Sequence, residues 1–146
     1  MTRKNWLLLG FLAAFGAFYL LRFNDIGRPQ AIQVNVVERP FVSNPAPGAV
    51  LPLVFGLDRD LRLTSLRIVP VTEVSNAKPK VAWQLTSKYG SEPVRGFTYA
   101  DEIPGMTSGG FKPLPLVAGT TYRLEVEAGR AKGHSDFTPH SALTAE

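Results

Sequence analysis

Leu116-Val117-Ala118-Gly119-Thr120-Thr121-Tyr122-Arg123-Leu124-Glu125-Val126-Glu127-Ala128 decides the fold. Its opening residues, through Gly119 and Thr120, read as a turn. From Tyr122 the side chains alternate strictly. Tyr122, Leu124, Val126 and Ala128 share one parity, and Arg123, Glu125 and Glu127 share the other. Successive side chains of a strand point to opposite faces of a sheet, so this pattern describes a half-buried strand.

Short strands extend outward in both directions. Downstream, Gly129–Gly133 reads as a hairpin loop and His134–Thr138 as the last strand. Upstream, Val94–Tyr99 and Val81–Leu85 are strands, with Val81, Trp83 and Leu85 facing inward. Leu61–Thr72 is apolar on neither parity alone, which predicts a bulge or a crossing between sheets near Leu66–Ile68. Asp58-Arg59-Asp60 reads as a turn after a strand that begins at Leu53. Ile32, Val34 and Val36 mark the first strand. The Pro- and Gly-rich run from Arg39 to Pro52 is a loop, because Pro cannot donate to a ladder. Asp101–Lys112 is a second long loop. About seven strands with frequent turns predict a mainly β antiparallel sandwich over residues 29–146.

The pattern Leu116-x-x-Gly119-Thr120-x-Tyr122-x-Leu124-x-Val126-x-Ala128 resembles the E–F corner and F strand of fibronectin type III and immunoglobulin-like domains. The resemblance implies that Leu116 packs under the corner, Gly119 makes the turn and Tyr122 forms a tyrosine corner. The resemblance also implies that Trp83, the third fold-defining residue, sits on a central strand, although the family's own Trp usually lies one strand earlier. The resemblance concerns fold and leaves function open.

Residues 1–28 are of another kind. Trp6–Phe23 reads WLLLGFLAAFGAFYLLRF, with Arg22 as its one charge. As a helix these residues span about 27 Å, close to the roughly 30 Å hydrocarbon core of a bilayer, and Lys4 and Arg22 can snorkel. No Ala-x-Ala arrangement follows the apolar run, so an uncleaved anchor is expected rather than a signal peptide. The basic head, Arg3 and Lys4, suggests an amino end inside. The C-terminal domain would then lie outside the cytoplasm, periplasmic or extracellular, on a single-pass protein of the cell membrane. Gly10, Ala13, Ala14 and Ala17 form a small-residue face that predicts packing against a second helix, from another copy or a protein partner.

Charge follows the same division. The chain has 146 residues, 16 Lys+Arg and 12 Asp+Glu. The first 28 hold Arg3, Lys4, Arg22 and Arg28 against Asp25; the rest hold 12 basic and 11 acidic residues, a near-balance with no strong basic face. No nucleic-acid partner is expected. The absence of cysteine excludes disulfides and thiolate chemistry.

No catalytic motif is present, and neither an active site nor a cofactor is expected. His134-x-Asp136-x3-His140 is a weak metal candidate, because imidazole and carboxylate are metal ligands but the spacing fits no established site. Asp58, Asp60, Asp101 and Glu102 offer carboxylates. Arg130, Lys132 and His134 form a basic hairpin suited to partner contact. Phe41, Phe111 and Phe137 lie in or beside loops. These features describe an anchored, non-catalytic β-sandwich acting as a structural or interaction subunit. The alternative is a small enzyme or metal-binding domain whose site is carried by the loops around Asp58, Asp101 and His134.

Overall fold

The computed structural model describes residues 3–23, 30–39 and 50–141. These residues contain one α-helix, α1 (Arg3–Phe23), a short 3-10 helix (Val71–Glu73) and seven strands: β1 (Val34–Glu38), β2 (Leu53–Leu61), β3 (Ser65–Pro70), β4 (Trp83–Thr86), β5 (Val94–Thr98), β6 (Tyr122–Ala128) and β7 (Ala131–Phe137). Helix α1 starts three residues before Trp6, taking in the basic head. It holds no Pro and no β-branched residue, so nothing in it restrains helical χ1 or breaks the ladder. Its 21 residues rise about 32 Å. It is long and apolar enough to cross a membrane, and none of its apolar window is buried within the chain.

The strands form two antiparallel sheets, in the orders β1-β2-β5 and β4-β3-β6-β7. One buried cluster draws on both: Phe55 and Phe97 from the first sheet, and Leu66, Ile68, Trp83, Leu124, Val126 and Phe137 from the second. The ring of Phe55 packs edge-on against Phe137 at 5.2 Å, which joins the sheets directly. The expected alternation along β6 is present, with Tyr122, Leu124 and Val126 buried.

Several local expectations are corrected. Asp58-Arg59-Asp60 is not a turn but the second half of β2. The strand runs past the core, leaving Asp58 and Asp60 exposed, and its register with β5 shifts between Gly56 and Leu61. The chain does cross between sheets, but at Arg62–Thr64 rather than Leu66–Ile68. Leu63 turns fully inward there, and its backbone N–H donates to the buried Oγ of Ser91 at 2.9 Å. The loop read over Gly129–Gly133 contracts to a turn at Gly129 and Arg130, because Ala131 is buried and Lys132 already pairs with Glu127 across the ladder. Trp83 lies on an edge strand rather than a central one, yet is 1% exposed. Tyr99 packs edge-on against it at 5.3 Å, and Phe97 lies at 6.0 Å.

Segments outside the named strands close both open sides. Between β5 and β4, residues 99–114 run down the edge of β4 and back. Thr86 and Thr107 exchange two backbone hydrogen bonds of 2.8 Å, and the Leu114 N–H donates to Ala82 at 2.8 Å. Ile103, within this excursion, is buried. Between β1 and β7, Ala31 bridges Lys132 in parallel and Ile32 enters the core at 4% exposure. Gly133 permits that approach, since a methyl group there would overlap the Ile32 carbonyl. Most of the Pro-rich loop, including Phe41, lies outside the described residues, as do residues 24–29.

Candidate functional site

A cleft follows from the excursion beside β4. Because β4 is short and at an edge, residues 100–113 stand off from it and leave a cleft of about 620 Å³. Trp83 and Leu85 form one wall, and Ile103, Met106 and Phe111 the other. Asp101 and Glu102 are exposed and border the cleft. Among the described residues no His, Lys or Arg lines it. Two carboxylates beside apolar walls can accept hydrogen bonds or face a cation, but the lining supplies no imidazole base.

Tyr99 does not line the cleft but packs against its wall residue Trp83. Its hydroxyl donates to the Leu114 carbonyl at 2.5 Å, with the Ala82 carbonyl 3.2 Å away. Burial pushes its pKa up to about 12, with a further contribution from Tyr122. Strand parity places Tyr99 beside Phe97 and gives no sign that its hydroxyl bridges β4 and the returning chain. Another hollow of about 390 Å³, lined by Leu51, Leu53, Tyr99 and Leu116 among others, lies at the start of β2 and the end of β5.

The chain turns tightly ahead of β6. Gly119 has φ of +79°, a conformation that favours glycine. Leu116 and Tyr122 are buried, and the Val117 N–H donates to the Tyr122 hydroxyl oxygen at 3.0 Å. Thr120 closes the turn by donating to the Val117 carbonyl at 3.2 Å.

The metal candidates are drawn apart. Arg123 on β6 donates to both oxygens of Asp136 at 2.7 and 2.9 Å. Those bonds hold the Asp136 carboxyl below its usual range and the guanidinium above its own. His134 stands opposite Glu125. His140 turns to the other sheet, with its Nδ1 3.0 Å from Glu38 of β1. Among the described residues no three His, Cys, Asp or Glu side chains are grouped to hold a metal ion. The loop-borne site of the alternative reading is likewise dispersed: Asp58 lies on β2, Asp101 beside β4, and His134 on β7 at the opposite edge of the second sheet.

The expected basic hairpin is also reduced. Arg130 alone of the three residues lies in the turn. Lys132 is paired with Glu127 at 2.9 Å, and His134 sits on the charged outer face of β7. That face carries a ladder of opposite charges, including Arg67 with Glu125 and Arg123 with Asp136. The alternating acids of β6 facing the bases and acids of β7 were the available signal for this register. Phe137 belongs to the core, and Phe111 borders the cleft. On α1, Gly10, Ala13, Ala14 and Ala17 are exposed, and Phe11 and Phe15 stack at 6.3 Å. No protein-family model matches the chain, and no curated protein and no solved structure matches it.

Proposed function

We propose that this chain is a membrane-anchored, non-catalytic β-sandwich module of the fibronectin type III or immunoglobulin-like kind. It acts as a structural or interaction subunit of a membrane-associated assembly, with its C-terminal domain outside the cytoplasm. The observation that carries the reading is α1: a 21-residue apolar helix that buries none of its apolar window within the chain. Such a surface is stable in lipid, where every backbone group is satisfied within the helix.

Two features support the sandwich. Lettered A, B, C, C′, E, F and G in chain order, the strands divide into ABE and C′CFG, which keeps C, C′, F and G in one sheet as in immunoglobulin-like sandwiches. The bond from the Val117 N–H to Tyr122 has the form of a tyrosine corner. The dispersal of Asp58, Asp101 and His134 favours binding over catalysis. Gly10, Ala13, Ala14 and Ala17 are where a second helix would approach most closely.

Membranes from cells producing the full chain, washed in alkaline carbonate and then solubilised in mild detergent, test this reading. Retention of a chain of 15.9 kDa together with stoichiometric companions supports it. A chain shorter by the apolar segment, found in the soluble fraction, overturns it.

A further inference from the structure

The end of the β region where the chain enters from α1 is defined by hydrogen bonds. Gln30 and Ile32 bond to Lys132 at 3.1 and 2.9 Å. Two residues earlier, Arg130 occupies the β6–β7 turn. Thr64 ties that turn to the others: its N–H donates to the Glu127 carbonyl, its Oγ1 accepts from Gly129, and its carbonyl accepts from Ser87. Leu63 and Ser91 exchange further bonds, and Gly90 lies against Arg62. The turns at Arg62–Thr64, Ser87–Ser91 and Gly129–Arg130 therefore share the end at which the chain arrives.

That end is basic and carries an exposed aromatic ring. Lys132 is matched by Glu127 and Arg59 by Asp58. Arg62, Lys88, Arg95 and Arg130 are left against Asp60 and Glu92. Arg62, Lys88 and Arg130 are exposed, and none of the three is in an ion pair among the described residues. Tyr89 is 86% exposed beside Lys88, whose Nζ lies 5.4 Å from the ring centre. Amphipathic rings and cations are the side chains suited to a headgroup layer.

Covalent geometry limits the distance. Seven Cα–Cα steps separate Phe23, the last residue of α1, from Gln30, so the two are within about 25 Å. A domain on so short a tether has its entry end presented to the bilayer that α1 spans.

We propose that the entry end docks on the anionic lipid headgroups of that bilayer, through Arg62, Lys88 and Arg130 with Tyr89 at the interface. The proposal rests on α1 being a membrane anchor. Charge complementarity selects anionic lipid, and the interaction is screened over about 10 Å at 0.1 M salt. The opposite end, where β3 passes to β4 through the exposed Ser75, faces away from the membrane.

The chain has no cysteine, so a single introduced thiol takes a fluorophore unambiguously. Full-length T86C and S75C, labelled and reconstituted, are compared in pure phosphatidylcholine vesicles and in vesicles about one-third phosphatidylglycerol, a lipid that supplies the surface potential. A headgroup-attached quencher reports proximity. The T86C label is expected to be quenched at least about twofold more in anionic vesicles, and the excess is expected to vanish in R62Q/K88Q/R130Q or at about 0.5 M salt, where screening is strong. The S75C label is expected to show no such excess. Equal quenching of T86C in both vesicle types, or an excess that survives the triple substitution, overturns the docking proposal while leaving the anchor intact. Flotation after an alkaline wash distinguishes the other failure: a chain that leaves the vesicles overturns the anchor and the docking with it.

Discussion

Replacing Gly133 with Ala is expected to detach the segment that leads from α1 into the β region. At Gly133 a methyl group would overlap the Ile32 carbonyl and press on its Cβ. The neighbour is backbone and cannot rotate away as a side-chain tip could. Relief therefore means movement of residues 30–32 off β7. That movement exposes Ile32, whose burial contributes about 2–3 kcal/mol. It also breaks the bonds from Ile32 to Lys132 and from Lys132 to Gln30, which contribute about 0.5–1.5 kcal/mol each. The freed residues recover backbone entropy of about 1–2 kcal/mol each. Bounded by β1, the three residues recover only part of that entropy, which leaves a net cost of about 1–3 kcal/mol, the range typical of overpacked sites. Urea unfolding of the full chain in detergent measures it, using Trp83 emission in a W6F background. The decisive comparison is a double-mutant cycle with I32A. Once Gly133→Ala has released the segment, truncating Ile32 removes a side chain already in water. The double variant is therefore expected to be about as stable as Gly133→Ala alone, giving a coupling comparable to the single loss. A G133A cost below about 0.5 kcal/mol, or costs that add within about 0.5 kcal/mol, would refute the reasoning.

Tyr122→Phe removes the acceptor of the Val117 N–H while keeping the buried ring. Because Val117 is 60% exposed, water can replace the lost partner, and a loss of about 1 kcal/mol is expected in the same urea assay; no change would mean that the corner bond adds nothing to stability. Tyr99→Phe loses one donated bond, a cost of about 1 kcal/mol at neutral pH. It also changes the alkaline limb: with the folded pKa raised to about 12 and the unfolded value about 10, the folded state keeps its proton while the unfolded state loses it, so this residue lowers stability as pH rises through that window. A pH series of unfolding midpoints should show a shallower decline above about pH 10 in Y99F, and identical declines would count against the assignment. Asp136→Asn addresses the acid limb. The Asp136 carboxyl is held below its ordinary value by Arg123, so its contribution is complete above about pH 4 and is lost as pH falls through the folded value. The wild-type chain should lose part of its advantage over D136N in that range, by a small amount because the pair is exposed; a constant difference down to about pH 2 would contradict the pairing.

Local alternation makes β6 legible because one face is buried and the other meets water. It also locates β4, β5 and the core residues Trp83, Leu85 and Phe97. It fails where a strand continues beyond the core. Asp58-Arg59-Asp60 has turn composition, yet pairing extends the strand through it while both acids remain solvated. The crossing at Arg62–Thr64 escapes a local reading because the decisive contact, Leu63 with Ser91, spans 28 positions and leaves no local period. The metal and hairpin candidates are assembled from residues near one another in sequence. The β6–β7 ladder assigns Asp136 to Arg123 and Lys132 to Glu127, while His140 reaches Glu38 of the other sheet. The cleft beside β4 has no sequence signature, since it arises from chain that returns along an edge without a repeating pattern of its own.

The two coverings of the open sides have different consequences. Residues 99–114 satisfy backbone groups at both ends of β4 and cover Trp83, removing much of an edge that could otherwise pair with another chain. That covering is internal to the β region. Residues 30–32 protect β7 in a similar manner, but they are also the connection to α1. Tension or reorientation at α1 therefore acts first on the Ile32–Lys132 contact, which is held by few bonds and one buried side chain. Loss of that contact would lengthen the tether and uncover the β7 edge together. The close fit at Gly133 thus couples two properties: how far the β region reaches from α1, and how well its sheet edge is protected.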